Sequence, residues 1–414
     1  MRRRCGEPTR RDLLAGLGAG LALLPFTRPA AAAREVPLGY QPGDTALLSR
    51  ATAEGLAHGI RQYEAIAAAG GWPRLDGGRL SPAQDDPRVA DLQRLLIMTG
   101  DLPRDQRLGT VYTPSVREGV MRYQARHGLP TTGTVSGITQ AHMNVSTADR
   151  LRQLKVNLGR LNDALGRAGN AHAHVCVNTA SFELQAVSGG RVELASRVIT
   201  GKRETPSPVV SATVRAVDLL PYWHVPESVA RAALVPQAQK DVSYFYKNRI
   251  RVFSAYGGAE VDPASVNWYA PDALRYTFRQ DPGPQNALGV VRLDMPNPHI
   301  VYMHDTPFKN LFDYPERAIS AGCCRVQAIF ELAAWITGGQ DGWTADGIVA
   351  ATDAGQRGTI KLARPVPVHF VYLTAWAQDG QVQFRNDLYN RDDTAAVPRS
   401  GEPAGLAPFS GLAP

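Results

Sequence analysis

The sequence predicts a multidomain α+β chain, helical up to about residue 170 and mainly β from there to about residue 393. Three observations lead to this reading. At 414 residues, with 44% hydrophobic and 20% charged residues, the chain is long enough for two or three separate cores. Before Gly169 the apolar residues recur at helical spacing, and after it they alternate at period two. One late helical run, from Val326 to Ile336, interrupts the β part and stops at Gly338 and Gly339.

The first 33 residues read as a leader. Arg10 and Arg11 precede an apolar run from Leu13 to Leu24, which is followed by small residues from Ala30 to Ala33. Twelve apolar residues are too few to span a bilayer as a helix. The pattern resembles a twin-arginine export signal, which implies a periplasmic protein. The leader holds six Arg against Glu7 and Asp12, so +4 of the formal +7 charge lies there and +3 is left for the rest. That balance argues for no nucleic-acid partner. No later stretch is apolar for long enough to form an integral membrane segment. Three cysteines remain after the leader, Cys176, Cys323 and Cys324, and an odd number in an oxidising compartment predicts at least one free thiol. With no CxxC pair, and with His172 and His174 readable as a solvated segment before a strand, no metal site is expected.

Residues 34–86 are expected to form a helical scaffold, with RQYEAIAAAGGWP closing a helix at Gly70, Gly71 and Pro73. Residues 87–145 carry two apolar stripes, Val89, Leu92 and Leu96, then Val116, Val120 and Tyr123. The second is entered through Thr113 as a cap and Pro114 at the first helical position. HGLPTTGTVSGIT adds a turn and a short third helix. The segment resembles a three-helix peptidoglycan-binding domain, which implies glycan strands as a partner. Residues 146–170 are expected to return to the scaffold as one helix.

Residues 171–393 read as a further domain. Strands are expected at Val175–Asn178, Phe182–Val187 and Val192–Ile199, and VHFVYLTAW and QVQFRNDLY are expected to complete the same sheet. From about residue 222 to 286 the strand pattern breaks into PESVARAAL, the helical piece DVSYFYKNR and the turn DPGPQN. The tail, 394–414, is rich in Pro, Gly, Ala and Ser and is expected to be disordered.

The reactive side chains concentrate in HDTPFKNLFDYPERAISAGCCR, from His304 to Arg325. Ile300 to His304 alternates like a strand, so Tyr302 and His304 share one face, and Val301 and Met303 the other. The apolar spacing from Val326 onward places Cys323 where a turn enters a helix, whose N-terminus favours a thiolate. Gly322 lets the backbone bend, so that the amides of Ala321, Gly322 and Cys323 are expected to converge on a developing oxyanion. With His304 as base, Cys323 makes a Cys/His nucleophilic pair. By residue type alone, two small core cysteines and a satisfied strand-end histidine are the favoured reading.

HDTP followed by SAGCCR resembles the active-site signature of the YkuD-type L,D-transpeptidases, which remodel bacterial peptidoglycan, and the flanking residues are similar to the YcbB-like branch. Ser320, Gly322, Cys323 and Arg325 match the family's fixed points; Ala321, often His in relatives, and Cys324, usually Val or Ile, depart from it. The resemblance implies a mainly β catalytic domain with an inserted lid at about residues 222–286, an ordinary surface insertion being the alternative, no cofactor, and stem peptides as substrate. It also implies Cys323 as nucleophile, His304 as base, attack on the bond between a diaminopimelate at the third stem position and a terminal D-Ala, and a thioester that the side-chain amine of a neighbouring stem resolves into a 3-3 cross-link between diaminopimelate residues. The alternatives are hydrolysis or a 1-3 linkage on the same site, and a non-catalytic wall-binding protein, against which the intact His304, Gly322, Cys323 and Arg325 speak. Tyr302, Ser320 and Arg325 are expected to contact substrate, Arg325 by holding a stem carboxylate or by bracing the loop. Asp305 points away from the face of His304, so its main-chain carbonyl rather than its carboxylate is expected to orient the imidazole. Cys324 is expected either as a small buried hydrophobe or as the redox partner of Cys323 in a vicinal disulfide.

Overall fold

The structure, a computed structural model, describes residues 38–392; the expected export leader and disordered tail lie outside the described residues. Five helices come first: α1 (Arg50–Ala68), α2 (Arg88–Met98), α3 (Pro114–Arg126), α4 (Gly137–Met143) and α5 (Thr147–Ala168). Their starts follow local chemistry. Ser49, Thr113 and Ser146 each accept a hydrogen bond from a first-turn amide, and Pro114 occupies the first helical position of α3. The predicted stripes Val89, Leu92, Leu96, Val116, Val120 and Tyr123 are buried in one cluster with Leu75, Leu80 and Met143. α1 and α5 instead share a core with Trp376, Val382 and Phe384 near the far end of the chain.

The β part begins with β1 (Ala173–Asn178), β2 (Glu183–Ser188), β3 (Arg191–Gly201) and β4 (Val210–Leu219). It resumes after the insertion with β9 (Val291–Asp294), β10 (Met303–His304), β11 (Ala318–Ser320), β12 (Cys324–Val326) and β13 (Gly358–Val371). These nine strands order as β11-β3-β12-β10-β9-β4-β13-β1-β2, and β2 also pairs with β3, so the sheet closes into a barrel-like ring. Helices α9 (Ile329–Thr337) and α10 (Ala345–Asp353) pack on its core through Ile329, Leu332, Ala333, Ile336 and Ile348. α9 ends at Gly338, whose φ of +58° is the left-handed cap that the Gly-Gly pair predicts.

The insertion lies between β4 and β9, which are paired neighbours, and so interrupts a hairpin of the main sheet. It builds a sheet of its own, β5 (Trp223–His224), β6 (Ile250–Phe253), β7 (Glu260–Val261) and β8 (Thr277–Gln280), in the order β5-β8-β6-β7. Helical pieces α6 (Glu227–Val229), α7 (Val235–Lys240) and α8 (Ser243–Lys247) cover one side of this sheet. Trp223, Phe245, Val252, Trp268 and Phe278 form their common core.

Three expectations about strands are corrected. VHFVYLTAW is two elements: β13 ends at Val371, and β14 (Ala375–Gln378) pairs only with β15 (Gln381–Phe384), as a separate hairpin turned onto α1 and α5. Asn178 causes the break, because its side chain bonds the Leu373 amide and carbonyl at 3.0 Å each and takes them out of the ladder. Second, His174 is a buried residue of β1, its ring centroid 5.7 Å from that of His369, rather than part of a solvated lead-in. Third, the strand before His304 is short, since Ile300 sits at φ +53° and only Met303 and His304 pair with neighbours.

The α2–α4 module is fastened to this hairpin by a buried ion pair. Arg126 donates to both oxygens of Asp101, at 2.8 and 2.5 Å, and to the Val382 carbonyl at 3.2 Å. His127 stacks on Phe384 beside it, centroids 5.2 Å apart. Asp101→Ala leaves a buried guanidinium uncompensated and is expected to cost about 3–5 kcal/mol, measured by denaturant unfolding of the full chain.

Candidate active site

The site is set by strand register. Across five adjacent strands one transverse row reads Thr359 (β13), Asp218 (β4), Arg292 (β9), His304 (β10) and Arg325 (β12). The neighbouring row reads Ile360, Val217, Leu293, Met303 and Cys324. Successive side chains of a strand point to opposite faces, so one row is polar and the other faces the core. All five apolar residues belong to the main core cluster. The polar row is wired side to side: Thr359 donates to Asp218 at 2.7 Å, and Arg292 binds Asp218 through Nε at 3.0 Å and Nη2 at 2.6 Å.

This register settles the two cysteines. Cys324 is fully buried in the apolar row. Cys323, one residue earlier, lies just outside the strand, beside the Tyr302 main chain and within reach of the Arg325 charge, and alternation assigns it to the face of Tyr302 and His304. Both thiols are free in this structure. The Tyr302 ring lies 6.5 Å from that of His304, with Arg292 over it at 5.4 Å, so the face-sharing read from the sequence holds.

The position of Cys323 corrects the expectation of a helix start. Cys324, Arg325 and Val326 form a strand, because their main chain pairs with β10 on one side and β3 on the other; α9 begins only at Ile329. The same holds for Arg325, which lies mid-strand, fully buried, rather than one position from a helix. Cys323 therefore has no helix N-terminus to stabilise a thiolate. Burial pushes its thiol up to about 11, against a lowering pull from hydrogen bonding with the Tyr302 main chain and from the nearby Arg325 charge. Its surface is only half-buried, so protein crowds the sulfur without closing it off.

His304 is buried and neutral. Burial lowers its pKa to about 3, the Arg325 charge adds to that, and the carbonyls of Asp305 and Leu288 oppose it. Nδ1 lies 2.6 Å from the Asp305 carbonyl, an acceptor only, so the proton sits on Nδ1 and Nε2 carries a bare lone pair. Nε2 has no hydrogen-bond partner. The Asp305 carboxylate does other work, as expected: it accepts from the Val290 amide at 3.0 Å and from Lys309.

The turn that carries Cys323 is braced from three sides. Ser320 is buried; its hydroxyl donates to the Cys323 carbonyl at 2.6 Å and accepts from the Gly322 amide at 3.1 Å. The Gly322 amide is thus engaged, which removes it from the three donors expected to converge on an oxyanion; Ala321 is exposed at the tip. Gly322 itself sits at φ +121°, reachable only without a side chain, and its carbonyl accepts from Ser207 at 2.7 Å. Ser207 is held in turn by the Gly201 amide at 2.9 Å, and Tyr389 donates to the Gly201 carbonyl at 2.6 Å.

Sequence reasoning missed Ser207, Tyr389, Gly201, Gly289 and the Asp218–Arg292 pair. The two glycines mark close approaches. A Cβ on Gly201 would lie 2.5 Å from the Ser207 nitrogen, and one on Gly289, at φ +62°, would strike the Asp305 carboxylate. Among the described residues no group of three or more His, Cys, Asp or Glu side chains gathers to hold a metal ion.

Two outcomes follow for the free protein. Gly289→Ala displaces Asp305, and with it the carbonyl that fixes His304, so Cys323 reactivity toward a carbonyl electrophile should fall roughly 10- to 100-fold with the fold retained. Iodoacetamide labelling of the native protein should modify Cys323 and spare the buried Cys176 and Cys324. Its rate should climb with pH toward about 11, because the raised thiol pKa leaves little thiolate at neutrality. A rate already at plateau near neutral pH would mean a preformed thiolate–imidazolium pair.

Residues 172–368 match the model of the YkuD L,D-transpeptidase catalytic domain, and residues 85–143 the model described as "Putative peptidoglycan binding domain". A curated relative from Haemophilus influenzae, named "Putative L,D-transpeptidase", is 32% identical over 222 residues, 53% of this chain and 45% of the relative. The chain thus spans less than half the length of that relative. Among solved structures it is similar to an L,D-transpeptidase from Mycobacterium smegmatis, at 10% identity over 48% of this chain and 58% of that one, TM-score 0.24. It is also similar to an L,D-transpeptidase (Yku) from Stackebrandtia nassauensis, at 11% identity over 72% of this chain and 96% of that one, TM-score 0.27. The chain therefore carries an L,D-transpeptidase catalytic domain of the YkuD family together with a peptidoglycan-binding domain.

Proposed function

We propose that the protein is a peptidoglycan L,D-transpeptidase of the YcbB-like branch, exported by a twin-arginine signal to the periplasm, that forms 3-3 cross-links through a thioester on Cys323. What supports this reading is a His304 whose Nε2 lone pair is bare, with the Tyr302 ring beside it and Cys323 hydrogen-bonded by the Tyr302 main chain.

In this mechanism the thiol and the imidazole both start neutral, which the raised Cys323 and lowered His304 pKa values support. As Cys323 Sγ attacks the donor carbonyl, His304 Nε2 takes the thiol proton; it returns that proton to the leaving amine of the D-amino acid. The buried Arg325 charge favours negative charge on sulfur while attack proceeds, and it disfavours a long-lived imidazolium. The side-chain amine of a neighbouring stem then resolves the thioester. Ser320 acts in this reading by holding the turn, as its two hydrogen bonds suggest, rather than by touching substrate. Cys324 is a core hydrophobe, which a place in the apolar row supports over a vicinal disulfide. The inserted segment acts as a lid over this face. The α2–α4 module presents glycan strands.

Mass spectrometry of the protein incubated with disaccharide-tetrapeptide is expected to find a cross-linked dimer joined between the third residues. Cys323→Ala should abolish it, His304→Ala should slow it by about 10²- to 10⁴-fold, and Cys324→Ala should retain it. Trimmed monomers without a dimer would move the reading to a hydrolase.

A further inference from the structure

The sheet of the inserted segment has two unlike faces. Ile250, Val252, Phe278 and Trp223 alternate onto its core side. The other side carries His224, Arg279 and Arg251 in one register row, with Phe253 beside them. The two arginines of that row are treated differently. Arg251 has two carboxylates, Glu260 at 3.2 Å and Asp281 at 3.1 Å. Arg279 has none among the described residues. Its guanidinium lies between two aromatic rings, 4.4 Å from the centroid of Tyr222 and 4.8 Å from that of Phe253. Its Nε is shielded from solvent and without a hydrogen-bond partner.

More positive charge gathers at the same place. Arg357 also lies over the Tyr222 ring, at 4.9 Å. His224 feels both Arg279 and Arg292, and these charges add to burial in lowering its pKa. Arg292 is the polar-row residue whose guanidinium lies over Tyr302, beside His304. The basic face of the insertion and the polar row of the main sheet therefore share one electrostatic neighbourhood, in which Asp218 is already bound to Arg292 and Thr359. Aromatic faces hold a cation in place without neutralising it, so a planar donor fork is left ready for an anion.

We propose that Arg279 is a specificity-determining residue that binds a carboxylate of the stem peptide, held ready by Tyr222 and Phe253 and aided by Arg357. This rests on the transpeptidase reading above and adds to it the group by which the insertion recognises its substrate. A neutral stem does not fill the need of the bare guanidinium, whereas a carboxylate makes charge-assisted bonds with it. Two carboxylates of a tetrapeptide stem qualify, that of the diaminopimelate centre not engaged in the peptide chain and that of the terminal D-residue.

The test measures cross-linking by the full chain on three stems: unmodified, amidated at the diaminopimelate carboxylate, and amidated at the C-terminus. Arg279→Gln should raise KM for the unmodified stem roughly 10- to 100-fold with kcat changed much less. One of the two amides should weaken the wild type by a similar factor and leave Arg279→Gln indifferent, which identifies the carboxylate. Arg279→Lys, which keeps the charge and loses the fork, should fall between the two. Should Arg279→Gln fail to fold, wild-type insensitivity to both amides overturns the proposal, as does an Arg279→Gln variant with unchanged KM. A folded wild type that processes none of the three stems overturns the transpeptidase reading itself, and the proposal with it.

Discussion

The parallel pairing of Met303–His304 with Cys324–Arg325 is the constraint on which the rest of the site depends. The strands involved are two and three residues long, and their hydrogen bonds come from β9 and β3 on either side as much as from each other. A slip of one residue would send His304 into the core and bring Met303 and Cys324 out. Moving the imidazole among Leu293 and Val217 would strip its N–H of the Asp305 carbonyl, and the cost of that unpaired buried group guards the register. The same apolar packing that stabilises the barrel thus decides which of two adjacent cysteines is presented.

Electrostatics then follows from position. His304 and Arg325 are both taken out of water, and burial works against charge on each: it lowers His304 to about 3 and Arg325 to about 10. Cys323 is pushed the other way, to about 11. The result is a thiol and an imidazole both neutral at rest, and in the proposed mechanism proton transfer is coupled to bond formation rather than preceding it. In that mechanism the neutral thiol is slow toward casual electrophiles and attacks once a donor carbonyl is bound. The hydrogen bonds of Ser320, Ser207 and Tyr389 around the turn keep the sulfur in place while this happens.

Much of this was legible in the sequence where the physics is local. The cap at Thr113 and Pro114, the apolar stripes of α2 and α3, and the Gly338 stop of α9 follow from side chains within a turn of one another. So does the Asp305 carbonyl on His304, which strand alternation alone suggests. The reading failed where pairing is non-local. Val326 lies at helical spacing from Ile329 and Ala333, which made Cys323 look like the lead-in to a helix; a three-residue strand is too short to display period two against it. Gly201 and Gly289 matter because distant backbone and a distant carboxylate approach them, and nothing in their own neighbourhood announces this. The basic face of the insertion was hidden for the same reason, since β5, β6 and β8 hold only two to four residues each and their common face exists only once they pair.

The most direct test of the central claim is to trap the acyl-enzyme. The full chain is mixed with a tetrapeptide donor and no acceptor, quenched in acid within seconds, and mapped by peptide mass spectrometry. The register predicts one added stem, lacking its terminal D-residue, on the sulfur of Cys323, with Cys324 unmodified. An adduct on Cys324, or one that survives Cys323→Ala, would contradict the account.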